Sequence, residues 1–187
     1  MKVNTIIVDD FYNDPDQVRE FALNQDYNIS GNYPGKRTKS FLDEGVKNVI
    51  NSIMQYPGGG VTDWFLDENG DGYTGSFQLC SCYERTWIHS DHHNMWAGVC
   101  YLSPDAPLSG GTALYRHKES GDRKYVEVDY GNDASDITKW EVVDRIGNIY
   151  NRLILYPGKL FHSSIDYFGT TTKDSRLIQT FFFNTNY

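Results

Sequence analysis

The sequence predicts a mainly β protein, a double-sheet β-roll with two helices packed on its outside. Three observations lead there. Aromatic residues reach 15%, with 14 Tyr and 10 Phe, and 17 Gly accompany them, a composition that suits strands and tight turns better than a helical bundle. Two helical patterns stand within the first sixty residues. At least six strand patterns then run from Ser76 to Asn184, so helices and strands are segregated along the chain.

Val3 to Val8 is β-branched and alternating, which predicts a strand. Asp14-Pro15 opens a helix, with Asp14 as N-cap, Pro15 at the first helical position and Asp16 in the first turn. Val18, Phe21 and Ala22 follow at helical spacing to about Asn24. Tyr27 to Ser40 is polar and reads as turns. Leu42, Val46, Val49, Ile50 and Ile53 mark a second helix, expected to end before Pro57 and the Gly58-Gly59-Gly60 break. Strands are expected at Ser76 to Cys82, Asn94 to Leu102, Gly111 to Tyr115, Asn151 to Tyr156, Leu160 to Ser164 and Arg176 to Asn184. The charged stretch between Arg116 and Trp140 reads as an insertion or lid with one weak strand, Tyr125 to Val128.

At 187 residues the chain has the length of one domain, 1–187, with 1–60 as helical support and 76–184 as the core. Hydrophobic residues at 39% and charged residues at 22% exclude a disordered chain or a fibre. No apolar run approaches the roughly 20 residues of a membrane helix. The net charge of −8 argues against nucleic-acid binding by bulk electrostatics and leaves room only for a local basic groove. Three cysteines, Cys80, Cys82 and Cys100, do not make a disulfide scaffold. The apolar part of Met1 to Asp10 is too short for a signal peptide, so a cytoplasmic location is expected.

The chemistry concentrates in His89-Ser90-Asp91, which lies between two predicted strands. In extended chain, residues i and i+2 point to one face, so imidazole and carboxylate can meet one ion. His162, 73 positions later, would complete a 2-His-1-carboxylate set, which leaves open positions and suits non-haem Fe(II). Arg176 opens the last strand, 14 residues beyond His162. A half-buried cation there wants a partner, and a dicarboxylate would supply one bidentately. Strand parity puts Ile178, Thr180 and Phe182 on the Arg176 face.

This ordered set resembles the signature of the Fe(II)/2-oxoglutarate-dependent oxygenases, in particular their prolyl-4-hydroxylase-like branch. The opening Val8-Asp9-Asp10-Phe11-Tyr12-Asn13-Asp14-Pro15 and the residues after it also look like small members of that superfamily, many of them carried by phages. The resemblance implies a double-stranded β-helix, the cupin-like jelly roll, over about Ser76 to Asn184. It implies Fe(II) on His89, Asp91 and His162, and the distal carboxylate of 2-oxoglutarate on Arg176; strand parity adds the Thr180 hydroxyl as a candidate in that pocket. It implies O2 as second co-substrate, ascorbate as an accessory reductant, and hydroxylation of a small-molecule or peptidyl substrate with release of succinate and CO2. The branch often carries a Tyr three residues before the first ligand. Here that position is Thr86, and Tyr83 is the nearest upstream Tyr. Tyr83, Asn151 and Tyr101 are the remaining candidates to touch the co-substrate. The alternative reading is a non-catalytic cupin-like protein that binds a metal or small ligand, for which an exposed Arg176 would be the mark.

Other motifs read more plainly. His92 and His93 are expected at the pocket mouth or in solvent, and His117 in solvent. Cys80 and Cys82 read as small buried hydrophobes. Asp67 to Gly72 matches half of a calcium loop, but its twelfth position is Gln78, so it reads as a turn. Gly110-Gly111 reads as a tight turn near the active site rather than a phosphate loop. The turn Tyr33-Pro34-Gly35-Lys36-Arg37 carries two cations and reads as a solvated loop, with a reach over the active site towards an anionic substrate as the rival.

Overall fold

A computed structural model describes residues 3–66, 72–127 and 130–186. The chain begins with β1 (Ile6–Val8) and α1 (Pro15–Leu23), then β2 (Lys36–Ser40), α2 (Glu44–Gly58) and β3 (Val61–Trp64). There follow β4 (Ser76–Cys80), β5 (Trp96–Tyr101), β6 (Thr112–His117), β7 (Trp140–Ile146), β8 (Leu153–Pro157), β9 (His162–Ser164) and β10 (Arg176–Thr185). Seven strands form one sheet in the order β1-β8-β5-β10-β4-β2, with β3 paired to the end of β10. Three form the other, β7-β6-β9. All pairs are antiparallel.

Side-chain alternation divides the core into two layers. From β5, β8 and β10, Trp96, Cys100, Leu153, Leu155, Leu177, Phe181 and Phe183 face the helices and pack on Ala22, Val46, Ile50 and Met54. The alternate residues Ala97, Val99, Ile154, Tyr156 and Ile178 face the small sheet and meet Leu114 and Ile146. The helices therefore cover the outer face of the large sheet, and the gap between sheets is free to hold a site.

Both helices start as their caps dictate. Asp14 accepts from the Gln17 amide and Asp43 from the Val46 amide, each satisfying an N–H that the helix leaves unpaired. Contrary to the sequence expectation, α2 runs through Pro57. In the last turn a proline gives up only one hydrogen bond. Gly59, left-handed at φ 70°, then closes the helix by donating to the Met54 carbonyl.

Three strands went unforeseen. β2, inside the polar stretch Tyr27 to Ser40, buries Arg37 and Thr38 side by side and shifts register before Ser40, so it shows no apolar alternation. β3 is four residues at the tail of β10. β7 buries only its end residues Trp140 and Ile146. Residues 1–60 thus supply strands as well as helices. In the insertion, Tyr125 to Glu127 form no strand, while Lys124 bridges Leu160; Val128 lies outside the described residues, as does the expected turn at 67–71.

Two side chains also differ from expectation. His117 is buried, not solvated, between Ser120 and Asp133, because the insertion folds back over Trp140 and Phe161. Cys82 is exposed, since β4 ends at Cys80.

Candidate active site

His89 and His162 meet by backbone pairing. His89 donates its amide to the His162 carbonyl at 3.0 Å and accepts the His162 amide at 2.9 Å. Directly paired residues on an antiparallel ladder project to one face, and the imidazole centroids lie 4.4 Å apart. Asp91 is held by its amide, which donates to the Gly158 carbonyl at 2.8 Å. A Cβ on Gly158 would lie 2.6 Å from the Asp91 carbonyl oxygen, so the Pro157-Gly158 turn has to carry glycine for the chain to pass this close. One ligand atom from each of His89, Asp91 and His162 falls within 4.8 Å of the others.

Tautomers are fixed by the main chain. His89 Nδ1 lies 3.1 Å from the Trp87 carbonyl oxygen and His162 Nδ1 2.8 Å from that of Leu160. A carbonyl only accepts, so each Nδ1 carries the proton and each Nε2 presents its lone pair in the neutral ring. His162 Nε2 then faces Asp91 Oδ2 at 3.2 Å. Two acceptors so placed call for a cation between them, a proton or a metal ion. Cis ligands on an ion with bonds of roughly 2.1 Å sit roughly 3 Å apart, so the spacing fits a metal. Burial, and then the neighbouring His162, push the His89 imidazole down to about 4, which keeps it neutral and able to ligate. Without a metal, burial pushes Asp91 up, but a proton held between it and His162, together with His89 and the Arg37 guanidinium, outweighs burial and leaves the carboxyl below its usual value.

The triad opens into an inter-sheet chamber of about 70 Å³. Arg176, Ile178, Thr180 and Phe182 all line it, as strand parity predicts. Arg176 is 1% exposed. Its Nε donates to the Gly110 carbonyl at 2.8 Å, and Nη1 has no hydrogen-bond partner. Among the described residues it forms no ion pair. The Gly110-Gly111 turn therefore serves to anchor this guanidinium. Thr180 lies in the chamber wall and donates its hydroxyl to the Tyr73 carbonyl.

Three candidates stand elsewhere. Tyr83 is 78% exposed and does not line the chamber; the chain turns after β4, and Thr86 takes the place in the wall. Asn151, at φ 62°, spends its carboxamide on the backbone of Tyr12, accepting from the amide and donating to the carbonyl. Tyr101 sits behind the wall, where its hydroxyl donates to Thr112 and its ring lies 5.6 Å from the Arg176 guanidinium. His92 stacks on Tyr125 and His93 lines an outer cavity.

Tyr156 and Tyr167 line the chamber without having been expected there, and Arg37 lines it too, which favours the rival reading of its turn, a reach over the site, over the solvated loop. Tyr156 follows from strand parity with Ile154. Tyr167 sits in a loop and had no signal. Arg37 is 8% exposed, not solvated, with Nε donating to Gln78 Oε1 at 2.8 Å. Gln78, the would-be twelfth calcium-loop position, is thus an anchor for Arg37.

No protein-family model and no curated protein matches the chain. Solved structures do. HygX from Streptomyces hygroscopicus, with nickel, 2-oxoglutarate and hygromycin B bound, matches with TM-score 0.65 and 8% identity, over 100% of this chain and 84% of that one. A Trichoplax adhaerens prolyl hydroxylase in complex with a hypoxia inducible factor peptide matches at 0.56 and 15%, over 97% and 84%. A Pseudomonas putida prolyl-4-hydroxylase matches at 0.53 and 14%, over 97% and 92%. The protein has the jelly-roll fold of the 2-oxoglutarate oxygenases. At these identities the likeness speaks for the fold alone. The His89, Asp91 and His162 cluster adds a candidate metal site that fits the superfamily.

Proposed function

We propose that the protein is an Fe(II)- and 2-oxoglutarate-dependent dioxygenase, acting as one domain from its helices to its last strand and hydroxylating a small-molecule or peptidyl substrate. The observation that carries this reading is a single chamber holding both the His89, Asp91, His162 cluster and a buried Arg176 with a vacant donor. A metal-binding protein without co-substrate has no use for that guanidinium, and its burial counts against the non-catalytic alternative.

In this reading His89 Nε2, Asp91 and His162 Nε2 hold Fe(II), and Arg176 receives the distal carboxylate of 2-oxoglutarate, with Thr180 beside it. When bound, iron and co-substrate couple the reduction of O2 to decarboxylation, which yields succinate, CO2 and one oxygen atom for the substrate. The chain's own share is orientation. The Trp87 and Leu160 carbonyls keep both imidazoles aimed at one point. The buried Arg176, Ile178, Thr180 and Tyr156 line part of the chamber, and a charge-neutral loaded site is easier to bury than its parts.

Succinate formation from 2-oxoglutarate with Fe(II) tests this. His89→Ala or Asp91→Ala is expected to abolish it, and turnover that survives both substitutions contradicts the assignment.

A further inference from the structure

A second cavity, of about 360 Å³, adjoins the chamber and shares with it Asn32, Tyr33, Arg37, His89, Asp91 and Phe182. Its remaining walls include Phe65 and Tyr73, so aromatic rings dominate it, while His89 and Asp91 form its inner end. A molecule seated there meets the candidate ligands His89 and Asp91 but not Arg176, which lines the chamber and not the outer cavity.

Arg37 stands on the shared wall. Among the described residues it is the only Lys or Arg lining the outer cavity. Its guanidinium lies 3.9 Å from the centre of the Tyr33 ring, and Tyr73 and Phe182 flank it at 5.5 and 5.8 Å. Nε is spent on Gln78. Among the described residues the terminal nitrogens have no hydrogen bond and Arg37 has no ion pair. Those nitrogens are not among the buried unpaired atoms, so this edge of an otherwise buried guanidinium faces the cavity, where an anion can complete it.

We infer that the substrate pocket takes a carboxylate-bearing small molecule with an apolar, ring-sized body, its carboxylate paired with Arg37 and its body between the aromatic walls. This deepens the oxygenase reading and rests on it for the fate of the substrate. Charge supports it. With Fe(II) and 2-oxoglutarate in place, the charges of metal, Asp91, co-substrate and Arg176 cancel, and Arg37 remains as one buried positive charge. One guanidinium edge matches one carboxylate bidentately. A phosphate dianion asks for a second cation, which this cavity lacks among the described residues.

Calorimetric titration of 3-phenylpropanoate and of its neutral amide tests the inference. Both are titrated into the protein loaded anaerobically with Fe(II) and 2-oxoglutarate, and into metal-free Arg176→Gln, where the deeper guanidinium contributes nothing. The acid is expected to bind about tenfold or more tightly than the amide. Arg37→Gln is expected to erase that preference, and Arg37→Lys, which keeps the charge without the fork, to retain part of it. Equal affinity for acid and amide, no binding of either, or a preference that survives Arg37→Gln overturns the proposal. Should Arg37→Gln fail to fold, the comparison of acid with amide in the unsubstituted protein decides alone. Failure to bind Fe(II) with 2-oxoglutarate overturns the oxygenase reading instead, and the metal-free titration still judges Arg37.

Discussion

Two main-chain carbonyls decide what His89 and His162 can do. By accepting hydrogen bonds from the two Nδ1–H groups, Trp87 and Leu160 leave both Nε2 lone pairs free, and that of His162 faces Asp91. A ring so fixed is a ligand before any ion arrives. Arg176 is prepared in the same sense, with one nitrogen anchored on Gly110 and another vacant. A charge-assisted pair of this kind contributes about 1.5–3 kcal/mol, so Arg176→Gln is expected to raise the 2-oxoglutarate KM by roughly ten- to a hundredfold while Fe(II) binding persists. An unchanged KM would remove Arg176 from the site. The spacing of His89 and Asp91 was legible because i and i+2 share a face in extended chain, and Arg176 because a charged residue in an apolar strand needs a reason. Arg37 was legible only as a rival reading, since a cation beside Pro34 and Gly35 has the composition of a solvated turn. Only the pairing of β2 with β4 turns it inward.

The strands that escaped the sequence share a cause. β2, β3 and β7 pack polar or exposed side chains on at least one face, and periodicity reports only apolar burial. Strands buried on both faces, β5, β8 and β10, stood out as apolar or aromatic runs. Asn151 illustrates how an element's terminus can resemble a site. It sits just before β8 in a left-handed conformation that asparagine tolerates, and it ties Tyr12 to the sheet with two hydrogen bonds. Asn151→Ala loses both and strains the backbone, for about 2–3 kcal/mol in urea denaturation, yet 2-oxoglutarate affinity is expected to stay put. A loss of affinity without a loss of stability would return Asn151 to the site. For α2, removal of the cap in Asp43→Ala is expected to cost about 1 kcal/mol, read in the same way.

For the molecule as a whole, stability and chemistry lie on opposite faces of one sheet. The helix-side layer around Leu177, Phe181 and Phe183 holds the fold, and Phe181→Ala there is expected to cost about 3–5 kcal/mol. The site-side layer keeps charges that bound groups must neutralise, the buried Arg37 and Arg176 and the half-buried Asp91. Removing metal is therefore expected to leave the protein folded. Fe(II) at a hundred times its Kd, under anaerobic conditions, is expected to add about 2.7 kcal/mol, a rise in Tm of roughly 5–10 °C for a chain of this size, and His89→Ala is expected to lose that rise. The most direct test of the central claim is an anaerobic titration of the metal-free protein with Fe(II) and then 2-oxoglutarate, followed by visible absorption. A weak charge-transfer band that needs both components, and that Arg176→Gln shifts to much higher 2-oxoglutarate concentration, is the expected result. Confirmed Fe(II) binding with no such band at saturating 2-oxoglutarate would contradict it.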